Sequence, residues 1–230
     1  MFTKVNNKVV SVNLAQSGPI AARRGAMLFY TGAVFFQPHQ IPGSGGMGAM
    51  GGMVGMAGRM MQGEHERTML AQGDGVVHYG FRGLEVEIVD LAGGGELRVE
   101  ASRLLAHTQG LQASIVSTSS QSAGGGGGLR GALRSAAGGM ATGQGMFTTQ
   151  LIGVGQAVIL GHGGFIQLPV QPNRPITVDP QSFAASVGQV QTSLRSTVSF
   201  RNMGRTGGEA FQLDCTGSGV VFVQASEQRL

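Results

Sequence analysis

Ile20-Ala21-Ala22-Arg23, followed by Met27, Phe29 and Val34, has the same apolar spacing as Leu97-Arg98-Val99-Glu100 with Leu104, Ala106 and Leu111. Ile176-Thr177-Val178-Asp179 with Phe183, Ala185 and Val190 states it again. A second element, Gly-x-Gly running into apolar residues, recurs as Gly73-Asp74-Gly75-Val76, Gly153-Val154-Gly155 and Gly217-Ser218-Gly219-Val220. Self-similarity of this kind constrains the architecture before any single residue does. In mid-chain the glycine element precedes the strand element. The remaining strand element stands alone near the N-terminus, and the remaining glycine element alone near the C-terminus. The order predicts one compact β domain over 1–230, with pseudo-repeats at about 63–115, 143–198, and 208–230 joined by 1–36. The N- and C-terminal strands, Val9–Phe35 and Phe211–Ala225, then complete one unit. The expected result is a closed pseudo-threefold ring with no free sheet edge.

Composition agrees with a folded β protein. Only 12% of residues are charged, against about 25% in ordinary domains, and a weakly charged surface favours homo-oligomers because less charge is desolvated at a contact. The formal net charge is +4, and Lys4 and Lys8 are the only lysines. This is no nucleic-acid footprint, and with no Trp and only Tyr30 and Tyr79 there is no stacking platform either. Cys215 is the single cysteine, which excludes an internal disulfide framework and fits a reducing cytoplasm. The N-terminus lacks the apolar core of a signal peptide, and no stretch approaches the roughly 20 apolar residues of a membrane span. The expectation is a soluble, cytoplasmic protein.

Period-two alternation gives the strands. Leu84, Val86 and Ile88 alternate with Glu85 and Glu87, and Leu97 and Val99 alternate with Arg98 and Glu100. Phe165–Val170 is less regular, and Pro169 suits an edge. Phe211 and Leu213 alternate with Gln212 and Asp214, followed by Val220–Val223. Gly80-Phe81-Arg82-Gly83 and Gly161-His162-Gly163-Gly164 supply the positive φ angles of tight hairpins. Short strands with this punctuation predict an all-β sandwich or barrel.

Two glycine-rich insertions interrupt the pattern, at 43–63 and 124–145. Each carries a stretch able to form a short helix, Val54–Gln62 and Leu129–Ala137. Met47, Met50, Met53 and Met56 fall every three residues, followed by Met60 and Met61. Flexible, polarizable thioethers suit a hydrophobic partner surface, so these six are the candidate partner contacts. The bland alternative is that they pack the insertion onto the β core. A copper(I) site is the third reading, weakened because no Cys or His sits among them.

Catalytic, metal and cofactor residues are not expected. His39, His65, His78, His107 and His162 show no zinc spacing. Glu85, Glu87 and Asp90 read as the exposed face of a strand, and no Gly-x-Ser-x-Gly elbow occurs. An enzyme would need His78, His107 or His162 to converge with Glu64 or Asp90. Cys215 reads as buried and inert. The five-glycine run lacks the Gly-Lys-Ser/Thr ending of a phosphate loop and reads as a linker.

Gly143-Gln144-Gly145-Met146-Phe147-Thr148-Thr149-Gln150 leads into Gly153-x-Gly155 and then Leu160-Gly161-His162-Gly163-Gly164. With Gly25-Ala26-Met27, Gly63-Glu64, Val178-Asp179 and Gly208-Glu209, this order resembles the family of the altered-inheritance-of-mitochondria protein twenty-four, in its glycine-rich actinobacterial form. The resemblance implies an all-β fold similar to the tryptophan RNA-binding attenuation protein, built from double-stranded β-helix-type units. It also implies a role linked to membrane organisation and supplies no catalytic residues. The expected function is a non-enzymatic, oligomerising β-scaffold that binds a protein partner or a membrane surface. The alternative is a nucleic-acid or small-ligand binding module, resting on fold analogy.

Overall fold

The computed structural model describes residues 1–39, 41, 68–117, 147–196 and 211–226. Among the described residues there are fifteen strands, one helical turn and one 3-10 turn. In chain order the strands are β1 (Phe2–Asn6), β2 (Val9–Asn13), β3 (Ile20–Arg23), β4 (Met27–His39), β5 (Thr68–Tyr79), β6 (Glu85–Asp90), β7 (Glu96–Glu100) and β8 (Leu104–Thr108). They continue with β9 (Leu111–Ser117), β10 (Phe147–Gly153), β11 (Gln156–Gly161), β12 (Phe165–Val170), β13 (Ile176–Val178), β14 (Phe183–Ser196) and β15 (Phe211–Gln224). All strand pairings are antiparallel and fall into two sheets, the all-β class that the alternation predicts.

The first sheet runs β1-β2-β5-β3-β8-β11-β6, with β4 added on β5. It nearly closes on itself. Val86 N–H donates to Asn7 O at 2.7 Å, and Phe2 N–H donates to Gln156 Oε1 at 2.8 Å. Lys4 and Lys8 reach Glu87 and Glu85 across the same seam. Glu85 and Glu87 therefore serve as partners of the β1 end rather than as a bare solvent face. The barrel so formed encloses Val10, Val12, Ile20, Val77, Tyr79, Leu105, Val158 and Leu160, all essentially without solvent exposure.

The second sheet runs β12-β15-β14-β7-β10-β9, with β13 added on β15. A cluster around Leu97, Val99, Leu151 and Ile159 joins residues of both sheets. A third cluster, Val170, Val178, Phe183, Val190, Leu213, Cys215 and Val221, draws on β12, β13, β14 and β15 alone.

One pairing recurs. β2 lies on the second half of β5 (Val12↔Val77), β6 on β11 (Val89↔Ala157) and β12 on β15 (Leu168↔Val221). Two of the Gly-x-Gly elements sit inside the long strands β5 and β15 and the third at the break between β10 and β11, each where a neighbour approaches closely. A Cβ on Gly75 would lie 2.2 Å from Thr31 O, and one on Gly219 would lie 2.1 Å from Val187 O. Gly73, Gly153 and Gly217 have φ of +122°, +131° and +107°, the region that side chains avoid. The 80–83 run has the expected positive φ, Arg82 at +49° and Gly83 at +71°. It is not a hairpin, because β5 and β6 do not pair with each other; nor do β11 and β12, which the run at 161–164 joins across the two sheets.

Other features go beyond the sequence reading or depart from it. Phe211–Gln224 is one continuous strand through Gly217 and Gly219. β1 and the short helix α1 (Leu14–Ser17) have no counterpart in the sequence reading; α1 is started by Asn13, whose Oδ1 accepts from Ala15 N–H at 3.0 Å. The N-terminal β2 pairs with β5. The ring without free edges is also not formed, because among the described residues β4 pairs only with β5 and β13 only with β15. The helices expected at 54–62 and 129–137 lie outside the described residues.

Candidate functional site

The feature that sets one part of this surface apart is the start of β4. Its register along β5 runs from Met27↔Tyr79 to His39↔Thr68, and its other edge carries no strand among the described residues. Met27, Leu28, Phe29 and Tyr30 are consecutive and 39%, 52%, 53% and 44% exposed. The sequence-equivalent run at the start of β8, Leu104, Leu105, Ala106 and His107, is 7%, 0%, 1% and 3% exposed. The equivalent run at the start of β14, Phe183 to Ser186, is buried as well. Single exposed apolar side chains are ordinary, whereas a contiguous run on an unpaired edge marks an interaction surface.

The run is ordered by its own neighbours. The Phe29 ring stacks on His78 with centroids 4.0 Å apart, and Tyr30 meets Phe36 edge-on at 5.5 Å. No charged residue occurs anywhere in Met27–Gln37, so nothing repels an incoming strand and no ion has to be desolvated.

The buried polar residues serve the fold. Arg103 donates to Gln224 Oε1 and to Gln181 O (3.0 Å for the latter) and lies 3.7 Å from Glu100. It ties the 3-10 turn Ala101–Arg103 to β15. Arg23 donates to Ser102 O and stacks over Phe81, 4.5 Å from the ring centroid. His107, buried between β3 and β11, donates from Nδ1 to Thr108 O at 3.0 Å, and burial above all pulls its pKa down to about 4.

The histidines and Asp90 named as enzymatic candidates have separate partners. His78 lies under Phe29, His107 is in the barrel wall, and Asp90 accepts from Gln156 Nε2 and Ala92 N–H. His39 Nδ1 contacts Thr68 Oγ1 at 3.0 Å. Among the described residues no three His, Cys, Asp or Glu side chains form a metal-holding group. Cys215 is fully buried as expected, and burial first, then the Asp214 charge, pushes its thiol up to about 12. Met47, Met50, Met53, Met56, Met60 and Met61 lie outside the described residues, as do His65 and Glu64. Sequence reasoning missed the apolar edge. Its signal was present in the uninterrupted Met27-Leu28-Phe29-Tyr30, which was read only as one copy of a buried strand.

The two antiparallel sheets and their glycine crossings define an all-β protein with a partly closed barrel. The family model described as "Mitochondrial biogenesis AIM24" matches residues 2–226, and the chain belongs to that family. Among solved structures, the fold is similar to the crystal structure of a Streptococcus pyogenes protein from a structural genomics programme. The TM-score is 0.65 at 18% identity, covering 98% of this chain and 92% of that one. No curated protein matches by sequence. Among the described residues no helix is long and apolar enough to cross a membrane.

Proposed function

We propose that this protein is a non-enzymatic β-scaffold whose working surface is an exposed strand rather than a cleft. The single observation that carries this reading is the Met27–Tyr30 run, half exposed in a position whose two sequence equivalents are buried. Open apolar strand edges drive association through both backbone hydrogen bonds and apolar burial. A family described by mitochondrial biogenesis, an organising process, supports the same role. Self-association, with a protein partner or a membrane surface as the further contact, fits the low charge of the chain. The single buried Cys215 fits a cytoplasmic setting. The family resemblance supports reading the fold as similar to the tryptophan RNA-binding attenuation protein, and the glycine content supports the actinobacterial branch.

The test is a double substitution on the exposed run, Leu28→Lys with Tyr30→Lys, compared with the unaltered chain by light scattering and by binding to captured partners and anionic vesicles. The reading expects the unaltered chain to associate and the variant to lose association while keeping its far-UV circular dichroism. A variant indistinguishable in every binding measurement would overturn it.

A further inference from the structure

We infer that the exposed edge of β4 is the docking site for β13 of a second copy of this chain, so that copies join head to tail. This rests on the scaffold reading above and names its partner.

Two short strands each bridge a long strand to the next unit. β3 lies between β5 and β8, with Ile20↔Thr108, Ala21↔His107 and Ala22↔Ala106. β7 lies between β10 and β14, with Leu97↔Val187, Arg98↔Ser186 and Val99↔Ala185. Aligned by the sequence repeat, these are one and the same register, since Ile20 corresponds to Leu97 and Thr108 to Val187. The third bridging strand is β13. It pairs with β15 through Ile176↔Cys215, Thr177↔Asp214 and Val178↔Leu213, but nothing occupies its other edge among the described residues. The long strand that should receive it is β4. Carrying the register over gives Ile176 opposite Thr31, Thr177 opposite Tyr30 and Val178 opposite Phe29. One bridging edge and one receiving edge are left over, and they match.

Within one chain these two edges belong to different sheets and do not pair. A second copy supplies what is missing at both. Val178 of β13 is already buried in a cluster with Val170, Phe183 and Leu213, so it is the backbone edge of β13, and not a sheet face, that a neighbour completes. The neighbour's Met27–Tyr30 run is apolar, uncharged and already ordered by its stacking on His78 and Phe36. Because each copy presents one β4 and one β13, the contact joins unlike patches and propagates until a ring closes.

The experiment uses the full-length chain in two forms, Thr177→Cys and Tyr30→Cys, mixed and oxidised. Directly opposed residues of an antiparallel pair lie at a Cα separation a disulfide spans, and buried Cys215 takes no part. The inference expects a two-chain species whose linked peptide joins Cys at 177 of one copy to Cys at 30 of the other. It also expects the chain carrying both substitutions to form a ladder of linked chains. A link within a single chain would show that β13 closes on its own β4 and would overturn the inference. So would absence of any link in a mixture that keeps its circular dichroism. If no link forms yet Leu28→Lys with Tyr30→Lys still abolishes binding to a protein or to vesicles, the scaffold reading stands and the copy-to-copy pairing falls. If neither experiment responds, both fall.

Discussion

Leu105 and Leu28 occupy the same place in the repeat, one fully buried in the barrel and the other 52% exposed on β4. Truncating each to alanine turns that difference into energy. Leu105→Ala removes a buried isobutyl group and leaves a cavity walled by close-packed strands, a loss of about 2–5 kcal/mol. Leu28→Ala loses only about half of the burial of a leucine, about 1 kcal/mol, and leaves no cavity because one side is already water. The gap of about 1–4 kcal/mol corresponds to a roughly fivefold to eight-hundredfold difference in the folded-to-unfolded ratio. The chain has no Trp, so urea unfolding followed by far-UV circular dichroism, at the lowest workable concentration, is the suitable assay. In the same samples each kcal/mol should move Tm by about 2–4 °C. If Leu28→Ala proves as costly as Leu105→Ala in dilute solution, β4 is covered within its own chain and the reasoning fails.

Gly83→Ala, at φ +71° with nothing within 4 Å of the new Cβ, should cost about 1–2 kcal/mol by urea unfolding. Gly217→Ala adds a Cβ 2.1 Å from Gln189 O on top of φ +107° and should cost more than about 3 kcal/mol; equal losses would refute the close crossing. Cys215, with its thiol raised to about 12 by burial, should resist thiol reagents at about pH 8 until denaturant is added. His107 is held neutral when folded, its pKa near 4 against an ordinary 6.5. The unfolded chain therefore takes up the proton first as pH falls, and this contribution to stability is lost between about pH 6.5 and 4, by about 3 kcal/mol in full. An imidazole resonance of His107 that titrates between about pH 7 and 5 would contradict this.

Much of the frame was legible in the residues. Alternation at Leu97 and Val99 placed them inward, and both are fully buried. The glycine runs at 80–83 and 161–164 sit at turns between strands with the positive φ expected of them, although the strands they join do not pair as hairpins. Edge partnership was not legible, because alternation tells which side chains face inward but says nothing about which strand lies alongside. For that reason the repeat pointed to a closed ring, whereas among the described residues β4 pairs only with β5 and β13 only with β15. The Gly217-x-Gly219 element was legible as a repeat, but only the structure shows why it is glycine: a neighbouring backbone approaches closely inside a continuous strand. The candidate site suffered most. Met27 to Tyr30 looks like any buried apolar run, and only the missing neighbour on β4 makes it a surface. Nothing in the described residues bears on the methionine run at 47–61.

Amide hydrogen exchange on β4, β8 and β14, followed as the protein is diluted, tests the central claim most directly. The free-edge account predicts that amides within Met27–Thr31 exchange fast in dilute protein and slow down as concentration rises, while those of Leu104–Thr108 and Phe183–Val187 stay protected throughout. Protection of Met27–Thr31 that matches the other two strands at every dilution would show that the edge is already covered inside one chain, and would contradict it.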